Sequence, residues 1–382
     1  IRKRQISYAW GPMGGGELRH AAALEFAITA GSGGSGTVWF DDLTLIPLPV
    51  AELPPPPIAS ATSQKPDHAA AFAVDATSAS VWESTVRDSF PALTLELGTL
   101  REFGGLVLDW GAGLQARDYA IDVDEGTGAW RTVREVRGSD GGRDWLELPE
   151  SEATRLRLRT LARTARTVAL ANLDVKPLDW GATAERFLTA VAQDAPRGHY
   201  PRGFGGEQSY WTVVGVDGDV DEGLFDEDLR LETGRAQFSL EPFLFTENGL
   251  RTWADGRTSQ SLASGQLPIP TAARIVDSLA LSVTVFARPS GTGSELVARY
   301  RVKNLEPRPR SVTMLIALRP FQVNPPSQFL NVPGGPARIT SFRRDGARVQ
   351  VNGDRWLAAS IAPDAFEALA FDEGDFVERL RV

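Results

Sequence analysis

Apolar and polar residues alternate with a period of two along most of the chain, the pattern of short strands with one face buried. Leu93, Leu95 and Leu97 alternate with Thr94 and Glu96, and Tyr119, Ile121 and Val123 repeat the pattern. Leu156 and Leu158 stand between Arg155, Arg157 and Arg159. The signal returns at Leu279, Leu281, Val283 and Val285, at Leu296, Ala298, Tyr300 and Val302, and at Val312, Met314, Ile316 and Leu318. Turns rich in Gly and Asp, such as Gly138-Ser139-Asp140-Gly141-Gly142, separate such runs. Near the start, Val38, Phe40, Leu43 and Leu45 predict a further strand behind a glycine-rich connection, which would place Trp39 in a core. Helical spacing is convincing once, where Phe187, Leu188 and Val191 form an apolar stripe over residues 183–194 and Pro196 follows.

These elements predict an all-β chain of several antiparallel β-sandwiches with one connecting helix. Pro54-Pro55-Pro56-Pro57 is a stiff linker, assigned to residues 50–57. Residues 58–178 read as one sandwich, 179–199 as a helical connector, and 200–382 as a second, larger sandwich. The segment 1–49 is too short to bury a sandwich core alone.

Composition narrows the partners. A formal charge of −9 argues against nucleic acid, which needs clustered Lys and Arg, and suits neutral glycans or cations better. With no cysteine there is no disulfide framework, thiolate metal site or cysteine nucleophile. No apolar run approaches the 18 or so residues of a membrane-spanning helix. The chain opens on Ile1 without a leader and closes on Arg381-Val382 without an obvious stop. Both ends read as cuts, so a piece of a longer secreted, periplasmic or cell-surface protein is expected.

The run 72–84, Phe-Ala-Val-Asp-Ala-Thr-Ser-Ala-Ser-Val-Trp-Glu-Ser, resembles the opening of discoidin (coagulation factor V/VIII C-type, galactose-binding-like) domains. Leu93-Thr94-Leu95-Glu96-Leu97-Gly98 resembles that family's strand ending in a Leu-Gly turn, and residues 168–175 resemble its last strand. The resemblance covers about a third of the chain. It implies a carbohydrate-binding sandwich and a structural calcium held by Asp75, Ser80 and Asn172. Two positions depart from the pattern: Ala76 stands where the family has Gly, and Asn172 where it often has Glu. Calcium wants six to eight hard oxygens, so the loss of a carboxylate weakens the site, and Asp75 equally fits a simple turn cap. Residues 1–49 resemble the C-terminal part of a galactose-binding-like jelly roll, with Asp41-Asp42 as a calcium or turn feature. Residues 206–215, 239–243 and 267–270 resemble the β-supersandwich that precedes the six-hairpin (α/α) barrel of large bacterial glycosidases.

A sugar is held by an aromatic ring under its apolar face and by planar polar groups on its hydroxyls. Most of the ten tryptophans belong in cores, Trp82 among them. Trp110, at a strand end among glycines, reads as loop-exposed; His68, Arg87 and Phe90 lie in the loops flanking the Asp turn, where the discoidin resemblance implies ligand groups, and the four form the candidate carbohydrate site. Each alone also fits an ordinary surface role. The acidic run 217–228 has calcium-loop spacing, but Glu222 replaces the needed glycine, so a solvated hairpin turn is the better reading. His20, His68 and His199 lack metal-ligand spacing. Glu207 and Glu241 stand in distinctive surroundings, yet nothing in the sequence pairs two carboxylates for hydrolysis. The expected function is the carbohydrate-binding, non-catalytic portion of a secreted multidomain glycoside hydrolase, its partner an oligosaccharide or polysaccharide and its catalytic domain further along the parent chain. The alternatives are an adhesive surface protein, or a glycosidase whose catalytic residues lie in 200–382.

Overall fold

The computed structural model describes residues 7–8, 16–17, 36–44, 54–77, 79–291, 293–330, 332–369 and 377. The described residues are built mainly of antiparallel β-sheet, with an α-helix over Ala184–Asp194. The chain divides into two compact units, Ile1–Pro55 and Pro56–Val382.

In the first unit, β1 (Ser7–Tyr8) pairs antiparallel with β2 (Gly16–Glu17). The strand expected around Trp39 is absent: residues 36–44 carry no strand, and Trp39 is 87% exposed, with Val38, Phe40 and Leu43 also at the surface. Alternation marks a buried face only where another layer covers it, and Trp39 is left at the surface. Asp42, at a φ of 51°, donates its N–H to Asp41 Oδ1, so the Asp pair makes a local turn. The glycine-rich stretch 31–35 and most of the remaining jelly-roll assignment lie outside the described residues.

The second unit begins with a seven-stranded sheet of β3 (Ile58–Ala61), β4 (Trp82–Glu83), β5 (Ala92–Trp110), β6 (Ala116–Asp124), β7 (Arg131–Val136), β8 (Arg143–Arg163) and β9 (Ala169–Lys176). The order is β4-β9-β5-β8-β6-β7, and β3 joins β5. β5 and β8 pair in two blocks, 92–96 with 155–159 and 101–109 with 143–153, separated by register shifts. Leu93, Leu95 and Leu97 from one block and Leu106 and Leu108 from the other enter the same core as Trp82, Tyr119, Ile121, Leu156 and Leu158. The pair must therefore wrap around that core, with the irregularities between blocks bending the strands.

The opposite face of β5 and β8 carries a second apolar cluster. Val107 and Trp145 pack there with Phe187, Leu188, Val191 and Ala192 of α1 (Ala184–Asp194), and with Tyr200, Phe204 and Phe321. Thr183 caps α1, its hydroxyl accepting the Arg186 N–H at 3.1 Å. Arg143 Nη1 reaches Asp194 at the helix end at 2.8 Å while Nε and Nη2 hold both oxygens of Asp109. A Cβ on Gly105 would lie 2.2 Å from the Trp180 ring, so the backbone approach here tolerates no side chain.

Beyond α1, one sheet contains β10 (Trp211–Val214), β11 (Gly223–Asp226), β12 (Leu231–Glu232), β13 (Ser239–Thr246) and β14 (Gly249–Arg251). A second contains β15 (Arg257–Ala263), β16 (Leu267–Val276), β17 (Leu279–Ser290) and β18 (Gly293–Asn304). β19 (Thr313–Arg319) joins the first sheet beside β13. Val214, Phe225, Leu231 and Leu244 of the first sheet meet Leu279, Leu281, Val283 and Val285 of the second in one core. β20 (Phe342–Asp345), β21 (Arg348–Val351) and β22 (Arg355–Ala358) form a separate three-stranded sheet.

Candidate functional site

Three loops of the 58–178 sandwich meet around Asp88. Its Oδ2 accepts the hydroxyls of Thr62 at 2.6 Å and Ser63 at 2.8 Å, both from the loop after β3. Its Oδ1 accepts the Phe90 N–H at 3.3 Å within the β4–β5 loop. Its backbone carbonyl accepts Arg163 Nη1 at 2.9 Å, from the end of β8. Glu83 makes a second tie, accepting Lys65 Nζ and Thr167 Oγ1, each at 2.6 Å. Burial works to raise the Glu83 carboxyl, but the hydrogen bonds from Lys65 and Thr167 outweigh it and hold the group below its ordinary value.

On this fastened base the β4–β5 loop turns Val86, Arg87, Ser89 and Phe90 outward, with Phe90 65% exposed. His68, half-buried in the adjoining loop, has Nδ1 3.0 Å from the Val81 carbonyl. A carbonyl only accepts, so Nδ1 carries a proton and the neutral ring keeps Nε2 as an acceptor. His68 and Glu83 are further joined through the backbone, Glu83 N–H to the His68 carbonyl at 3.4 Å. An exposed phenyl ring, a guanidinium fork and an imidazole acceptor thus stand on adjoining, cross-tied loops.

Trp110 does not belong to this group. It is 6% exposed and packs edge-on to Tyr119 with ring centroids 5.3 Å apart. Its Nε1–H donates to Asp144 Oδ2 at 2.8 Å, which also accepts the Tyr119 hydroxyl at 2.6 Å and the Ser139 hydroxyl at 3.0 Å. The glycines after the strand end suggested exposure, but a buried carboxylate 34 residues later draws the indole inward. Neither that partner nor the anchoring role of Asp88 has a local sequence signal; a Thr-Ser pair 25–26 residues before an Asp becomes visible only once the loops are folded together.

The calcium expectation meets a sparse donor set. Asp75 Oδ1 accepts the Thr77 N–H at 3.1 Å and Oδ2 accepts the Ser80 hydroxyl. Ala76, the position where glycine was expected, has a φ of 58°. Asn172 stands on β9 opposite Asp109, and among the described residues no hydrogen bond joins it to Asp75 or Ser80. No group of three or more His, Asp or Glu suited to a metal occurs among the described residues. One carboxylate already engaged by two donors does not fit an ion that takes six to eight oxygens; the observed geometry is that of a turn cap.

In 200–382, Glu207, Glu241 and Asp226 are each tied to an arginine. Glu207 forms a two-pronged pair with Arg197 at 2.7 and 2.9 Å, which lowers its carboxyl. Glu241 is buried and accepts Arg319 Nη1 at 3.0 Å. Residues 217–222 turn between β10 and β11, whereas Asp226 and Asp228 are buried rather than solvated. Burial pushes Asp226 up to about 7 against the pull of Arg230, whose Nε donates to Oδ2 at 2.9 Å.

No protein-family model and no curated protein matches the chain. Among solved structures, the Clostridium perfringens module CpGH89CBM32-5, in complex with GalNAc-β-1,3-galactose, is 25% identical at a TM-score of 0.30, over 31% of this chain and 94% of that one. Chitosan-binding module 2 of the chitosanase/glucanase from Paenibacillus sp. IK-5, in complex with chitotriose, is 23% identical at a TM-score of 0.31, over 33% and 99%. The GH29 fucosidase of Ruminococcus gnavus, in complex with fucose, is 12% identical at a TM-score of 0.30, over 32% and 25%. About a third of this chain is thus similar to whole carbohydrate-binding modules.

Proposed function

We propose that the 58–178 sandwich binds a neutral glycan through the loops fastened by Asp88 and Glu83, and that the chain is the non-catalytic portion of a secreted multidomain glycoside hydrolase. The observation that carries the binding role is Phe90, a phenyl ring 65% exposed on a loop whose anchors are hydrogen-bonded from both neighbours. An exposed aromatic ring is a suitable platform for the apolar face of a pyranose. Arg87 beside it supplies donors, and His68 an acceptor, for sugar hydroxyls. Fixing the loops in advance reduces the ordering cost of binding.

The hydrolase setting rests on the sequence resemblances. The coding sequence around this chain should then supply a secretion signal upstream and a helical catalytic barrel downstream.

The direct test is calorimetric titration of the whole chain with galactose, GalNAc-β-1,3-galactose and chitotriose, the ligands named for the similar modules. Binding of at least one is expected, weakened about tenfold by Phe90→Ala, or roughly 1.4 kcal/mol, and also weakened by Arg87→Ala. No binding to any of the three, or binding indifferent to both substitutions, sinks the proposal.

A further inference from the structure

The two sheets of the 200–382 sandwich part at one edge, where β15 faces β10 and β11. The gap is a cleft of about 300 Å³, whose lining includes Thr212, Phe225, Gln260, Leu262, Pro270 and Thr271. Antiparallel partners point their side chains to the same face. Gln260 is paired with Ala272 and Leu262 with Pro270, and both partners are buried. Gln260 and Leu262 therefore extend the inward row of β16 beyond the point where the opposing sheet covers it. A register shift between Leu262 and Ala263 interrupts β15 at this place, and such irregularities re-aim an edge strand.

The chemistry of the lining selects its occupant. The seam ends in the amide of Gln260 and the hydroxyl of Thr212, both exposed. Among the described residues the side chains of Thr212, Gln260 and Ser261 have no hydrogen-bond partner. Phe225, Leu262 and Pro270 provide an apolar floor. The one carboxylate in the lining, Asp226, has Oδ1 taken by the N–H groups of Asp228 and Arg230 and Oδ2 by Arg230 Nε, each at 2.9 Å. The cleft therefore offers neutral donors and acceptors over an apolar floor and no free charge. Its volume lies at the small end of ligand sites, the scale of one or two sugar rings.

We propose that this cleft is a second, separate glycan site, taking one or two neutral sugar residues. Its occupant is bound by the other sandwich, so the site stands or falls independently of the Phe90 loops. Hydrogen–deuterium exchange of the whole chain, with lactose, cellobiose or chitotriose at millimolar concentration, locates it. Slower exchange in 211–214 and 257–263 is expected with at least one of these sugars. The double substitution Thr212→Val, Gln260→Ala should weaken that binding at least tenfold with the melting temperature unchanged, since neither side chain bonds to the rest of the fold. Protection confined to 84–91 overturns the cleft while leaving the loop site standing. Protection that survives the double substitution, or that a charged oligogalacturonate gives more strongly than any neutral sugar, also overturns it.

Discussion

At Ala76 the backbone has a φ of 58°, a left-handed conformation that costs a residue with a Cβ about 1–2 kcal/mol. The resemblance marked this position as an expected glycine, and the backbone angle supplies the reason. Ala76→Gly should raise stability by about 0.5–1 kcal/mol once the greater freedom of glycine in the unfolded chain is deducted; urea denaturation measures it, and a loss of stability contradicts it. Asp144 poses the opposite problem, a carboxylate sealed in the core. Burial raises its carboxyl despite the hydrogen bonds from Tyr119, Trp110 and Ser139. The folded protein thus keeps a proton that the unfolded chain has already released. Stability from this group is present at low pH and is lost as pH climbs through the raised folded value. The stability difference between Asp144→Asn and the parent should shift in favour of the variant from pH 4 to pH 7, and a flat difference across that range refutes the assignment. Trp82 was legible as a core residue from the discoidin-like motif it sits in, and it is 1% exposed. Trp110 was not, because glycines beside it imitate a loop and its partner lies on another strand.

Among the elements, α1 was the most legible: its stripe of Phe187, Leu188 and Val191 is the buried face, and the cap falls on Thr183. The alternating leucines of 93–97 and 156–158 gave the direction of the buried face correctly. What they did not give was strand length, since β5 and β8 continue for 19 and 21 residues. Their register shifts are set by how two layers close over one core, a fact no window of sequence contains. Trp39 shows the converse, alternation in a segment that forms no strand and leaves the indole exposed. The glycines of β5 were equally silent. Gly105 is needed because Trp180, from the turn before α1, lies against the backbone there, and a Cβ would also come within 2.6 Å of the Leu146 carbonyl. Gly105→Ala should therefore cost about 1–3 kcal/mol and speed amide exchange in α1; a variant as stable as the parent would show that the approach relaxes freely.

For the whole molecule, fold class was readable because strand period, turn residues and a single helical stripe all agree. His68, Arg87 and Phe90 lie in loops that the fold does bring together, whereas the ties that make those loops a base came from Asp88 and Glu83, which have no distinguishing sequence neighbours. Least readable was the joint between the two sandwiches of the second unit. The helix was expected as a connector, and a connector suggests slack. Instead the apolar face of α1 is buried in one cluster with Val107, Trp145, Phe204 and Phe321, and Arg143 pins its last residue. Apolar packing of that kind resists twisting as well as separation. A glycan seized by the loops would consequently not swing on a leash of variable reach. It would be held at a set bearing from the following sandwich, so that the spacing between the two along a polysaccharide becomes a fixed dimension of the molecule, much as a gauge block sets a gap.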